Sequence, residues 1–75
     1  MKTYVLLVTF RTHPYYVIGK MTGRETNEYV CLETNKPSLW DLGQTYEIGC
    51  GGEWKFVKHA RTLKNIEKLR LLIDV

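Results

Sequence analysis

The sequence predicts a β-rich domain, all-β or α+β, built as a small five-stranded barrel with a C-terminal α-helix. Three observations predict it. Nine of the 75 residues are aromatic and alanine occurs once, as Ala60, which disfavours a helical bundle. Apolar segments of strand length, bounded by Gly, Pro and Asn, recur from residue 3 to residue 60. Apolar spacing of helical period follows Thr62. The length suits one domain, residues 1–75, with its helix at about 62–72.

The first strand spans residues 3–11. Tyr4, Leu6, Val8 and Phe10 share one face, and Val5 and Leu7 share the other. A strand apolar on both faces sits centrally or feeds two halves of a barrel core. Pro14 ends it, because proline lacks the donor a ladder needs. The second strand runs from Tyr15 to Thr22, and Gly19 inside it predicts a bulge or tight bend. A polar connection containing Gly23 and Asn27 leads to a third strand, Glu28 to Thr34. Ser38 is expected to cap one helical or 3₁₀ turn through Leu39, Trp40, Asp41 and Leu42.

The passage from Leu42 to Ile48 enters a fourth strand, and a fifth runs to about Ala60. A three-residue loop, Cys50-Gly51-Gly52, would pair Ile48 with Trp54, Glu47 with Lys55 and Tyr46 with Phe56. Apolar then meets apolar and opposite charges meet on the other face. A one-residue slip would mix core and solvent. Thr62 caps the terminal helix, in which Leu63, Ile66, Leu69 and Ile73 form the apolar stripe. Residues 70–75 also alternate, so a sixth strand competes with the last helical turn. Three strands, a short helical turn and two more strands follow the order of an OB-fold, and the passage from Asp41 to Ile48 resembles the helix-to-strand step of such barrels. An SH3-like barrel is the alternative. Neither fold fixes a function.

Eleven basic and eight acidic residues leave a net charge of +3, below the dense basic stripe of a dedicated duplex-DNA binder. The excess is concentrated from Lys55 to Arg70, where Lys55, Lys58, Arg61, Lys64, Lys68 and Arg70 face only Glu67. This is either a solvated helix face or an attractive surface for phosphates or an acidic partner. No apolar run is long enough to span a bilayer, and the opening residues lack a signal-peptide pattern, so a soluble, cytoplasmic chain with no membrane partner is expected. Cys31 and Cys50 are then expected as free thiols. No metal-ligand spacing joins them to His13 or His59, and no cofactor motif is present; Gly49, Gly51 and Gly52 belong to a hairpin turn.

No catalytic constellation stands out among Glu33, Asp41, Glu47 and Glu53, so the chain reads as a binding domain and not an enzyme. The first reading is single-stranded nucleic acid, held on a face where aromatics stack bases and cations meet phosphates. Tyr16, Lys20 and Tyr29 would form that patch, with Arg11, Lys55 and Lys58 beside it. The competing reading is that the tyrosines only cover a small core. The second functional reading is a protein-binding module or inhibitor, of the kind that viruses and plasmids direct against host proteins. Trp40 would then be either an exposed anchor or a lid on the core. A sheet edge would leave the chain monomeric or pair it as a homodimer.

Overall fold

The computed structural model describes residues 3–9, 13–23, 26–49 and 54–73. Five strands, β1 (Tyr4–Thr9), β2 (Tyr15–Met21), β3 (Glu28–Thr34), β4 (Thr45–Glu47) and β5 (Phe56–Ala60), precede one helix, α1 (Leu63–Ile73). The strands form one antiparallel sheet in the order β4-β3-β2-β1-β5. The sheet is open. No helix among the described residues is long and apolar enough to cross a membrane.

The expected pairing of the fourth and fifth strands does not form, because β4 and β5 occupy opposite edges of the sheet. The register of Ile48 with Trp54, Glu47 with Lys55 and Tyr46 with Phe56 is therefore corrected. Instead, β4 pairs with β3, setting Tyr46 opposite Tyr29, and β5 pairs with β1, setting Phe56 opposite Val8. The reason lies in β1. Val5, Leu6, Leu7 and Val8 are all completely buried. A strand apolar on both faces needs a neighbour on each side, and β5 supplies the second one.

Alternation along β1 divides the core in two. Val5 and Leu7 join Tyr15, Val17, Tyr29, Cys31 and Trp40 on one face. Leu6 and Val8 join Tyr16, Ile18 and Ile66 on the other, beneath α1. Thr62 caps α1 as expected, its hydroxyl accepting from the Asn65 N–H at 3.2 Å. The helix continues through residues 70–73, so the competing strand does not form there.

The irregularity expected at Gly19 is present. Ile18 opposes Glu33 and Gly19 opposes Cys31, which leaves Leu32 as an extra residue on β3. A side chain at Gly19 would run into the Tyr29 ring, so glycine is what lets that ring approach β2 so closely. The bulge also inverts the facing of β3. Glu33 ends on the helix side, while Cys31 and Tyr29 end on the opposite side.

The turn before β4 starts earlier than expected. The N–H groups of Leu39 and Trp40 both donate to the Lys36 carbonyl, at 3.1 and 3.3 Å. Gly43, at φ 83°, then occupies the left-handed region and donates to the Cys31 carbonyl at 2.8 Å, returning the chain to the edge of β3.

Candidate functional site

The residues singled out from the sequence do not converge. Tyr16 is buried beneath α1, and its hydroxyl donates to Glu33 Oε2 at 2.8 Å. The Arg70 guanidinium lies 5.1 Å from the Tyr16 ring centroid, with its Nε 3.7 Å from the same carboxylate oxygen. Burial, then the hydrogen bond to Glu33, pushes the Tyr16 hydroxyl above its ordinary pKa. Lys20 is exposed at the far end of β2. Tyr29 has no exposed surface and lies on the opposite face from Tyr16. The expected patch of Tyr16, Lys20 and Tyr29 is thereby corrected: the bulge at Gly19 separates its two rings, and both are core.

Trp40 is a lid and not an exposed anchor, at 4% exposure. It belongs to a chain of rings running Tyr15–Trp54–Trp40–Tyr46–Tyr29, with successive centroids 5.9, 5.4, 4.9 and 6.1 Å apart. The Tyr46 hydroxyl accepts from the Asp41 N–H at 2.9 Å and ties the turn to this chain. Tyr46, Ile48 and Trp54 thus serve the core as expected, whereas Phe56 packs on the helix side. Lys55 and Lys58 are exposed on and beside β5, with Lys58 Nζ 5.7 Å from the Phe56 ring centroid. Arg11 lies outside the described residues, as does Cys50. Cys31 is a free, buried thiol whose pKa is raised by burial and, secondarily, by the Asp41 charge.

What the structure does assemble is a groove where β5 meets α1. It is an open groove of about 450 Å³, lined by His59, Ala60, Arg61, Asn65, Lys68, Leu69 and Leu72. Asn65, Lys68, Leu69 and Leu72 fall at i, i+3, i+4 and i+7, so they form one stripe along α1. β5 is a sheet edge, with no strand on its outer side among the described residues. Ala60, Leu69 and Leu72 give the groove an apolar side and Arg61 and Lys68 a cationic one, and none of its described lining residues is acidic. Leu72 is 82% exposed, which a helix serving only as a core cover does not require. The signals in the sequence were the basic run from Lys55 to Arg70 and the second, outward stripe of α1. Among the described residues, no group of three or more His, Cys, Asp or Glu side chains is placed to hold a metal ion.

Compared with known protein families, curated proteins and solved structures, the chain matches none at a significant level.

Proposed function

We propose that this protein is a non-catalytic binding module whose ligand is another protein. The observation that supports this reading is the distribution of its apolar side chains. Aromatic rings, which a single-strand binder would present to bases, are spent on the core: Tyr15, Tyr16, Tyr29 and Trp40 are all buried. Among the described residues, the large apolar side chains left outside are aliphatic, with Leu72, Leu71, Leu42 and Leu39 each more than half exposed. Aliphatic surface beside cations fits a protein partner better than a base.

Titration of a labelled oligothymidylate at two salt concentrations tests this against the nucleic-acid reading. The expected result is no saturable binding tighter than about 100 µM at physiological salt, where even non-specific nucleic-acid binders register. Tighter binding that weakens steeply and log-linearly with salt would overturn the proposal and restore the nucleic-acid reading.

A further inference from the structure

We infer that the groove between β5 and α1 is the docking site for an acidic protein segment that carries an apolar anchor residue. The inference rests on the protein-binding reading and names the site and the partner chemistry.

Charge complementarity selects the partner. Arg61 and Lys68 line a groove with no acidic side chain among its described lining residues, and exposed Lys64 lies one helical turn before Lys68. Arg70, further along α1, is engaged with Glu33 on the helix face. A segment rich in Asp and Glu therefore meets cations, and no carboxylate of the described lining, in the groove. The apolar side demands more than charge. Ala60, Leu69 and Leu72 line the groove, and Leu69 is half-buried while Leu72 stands almost fully exposed. Covering Leu72 with a leucine- or phenylalanine-sized side chain removes apolar surface from water, which a phosphodiester backbone cannot do.

A second copy of the chain is the obvious competitor, since Glu28 and Glu47 make the opposite sheet edge acidic. That edge is short, since β4 has three residues, and its one aromatic side chain, Tyr46, is tied into the ring chain against Trp40 and Tyr29. A foreign acidic segment, which can set its anchor between its carboxylates, fits the groove better.

Selection of random short peptides displayed against the full-length chain tests the inference. Enriched peptides are expected to combine an excess of Asp and Glu with at least one Leu, Ile or Phe. Leu72→Asp and Lys68→Glu should each weaken the selected peptides by about tenfold or more, as loss of an interface anchor does. Leu39→Asp, in the turn before Trp40, should leave their affinity unchanged. All three side chains are exposed, so the variants should retain the wild-type thermal midpoint. Peptides without acidic excess, or insensitive to both groove substitutions, would overturn the groove assignment and leave a protein-binding module that works through another surface. Absence of any enrichment would overturn the assignment too, and the oligothymidylate titration then decides separately whether the protein-binding reading falls with it. Concentration-dependent self-association abolished by either Leu72→Asp or Glu47→Lys would overturn the foreign partner in favour of a second copy.

Discussion

The two faces of the sheet are covered by different means. One lies beneath α1, a regular element that contributes Ile66 and, partly, Leu69 and Ile73. The other lies beneath irregular chain, where Trp40 and Trp54 come from turns and connections and pack on Tyr15, Tyr29 and Tyr46. A helix covers a face with aliphatic side chains delivered every third or fourth residue. Loop segments deliver few side chains per residue, so each must be large, and aromatic rings supply that area. The polar consequences differ as well. On the helix face the Tyr16 hydroxyl is satisfied by Glu33. On the loop face the buried indole N–H groups of Trp40 and Trp54 make no hydrogen bond among the described residues. Stability there rests on ring area and packing.

That contrast predicts where the molecule breaks most easily. Trp40→Ala should cost about 3–5 kcal/mol, because two rings, Tyr46 and Trp54, lose their common neighbour and the turn from residue 36 to residue 44 has little else to replace it. Chemical denaturation measures this directly. A loss below about 1 kcal/mol would mean that the loop-covered face is not a packed core. Ile66→Ala should cost somewhat less, about 2–4 kcal/mol, since neighbouring residues of a regular helix still shield the face. If Ile66→Ala proved the more damaging of the two, the ranking of the faces would be reversed.

The same contrast explains what was legible in the sequence. The helix and its cap were readable because Thr62 is followed by Leu63, Ile66 and Leu69 at helical spacing. β1 was readable because apolar residues on both faces announce a strand with two neighbours. Its second neighbour was not. Strand pairing is non-local, and the Gly-rich sequence after Ile48 made a hairpin the simplest local solution, whereas burial of β1 favoured β5 at its side. The candidate site suffered from the bulge. Gly19 marked an irregularity, but sequence alone does not say which strand takes the extra residue. Leu32 takes it, and that choice sends Tyr29 inward.

Gly19→Ala probes this junction between the faces. The added methyl meets the Tyr29 ring, and the ring is fully buried, so relief requires movement of the core. Overpacking of this kind should cost about 1–3 kcal/mol in denaturant. A companion Gly19→Ala/Tyr29→Leu variant should recover part of the loss, because it removes the clash. Strict additivity of the two substitutions would show that the ring and the glycine are not in contact.

The smallest effect distinguishes the faces by pH. Each face buries a group whose proton is held more tightly in the folded state: Cys31 on the loop side and Tyr16 on the helix side. For both, the unfolded chain releases its proton first as pH rises. The folded state then binds more protons than the unfolded one, so stability falls with rising pH. The fall should begin near the ordinary thiol value of 9.0 and extend through the ordinary tyrosine value of 10.0. Cys31→Ala should remove the earlier part and Tyr16→Phe the later part. Tyr16→Phe should also cost about 1 kcal/mol at neutral pH, because Glu33 loses its buried donor. Denaturant midpoints collected from pH 7 upward separate the two contributions. A Tyr16→Phe variant with the wild-type alkaline slope would show that the Tyr16–Glu33 hydrogen bond does not hold the proton, and the helix face would then owe its stability to Ile66 and its aliphatic neighbours alone.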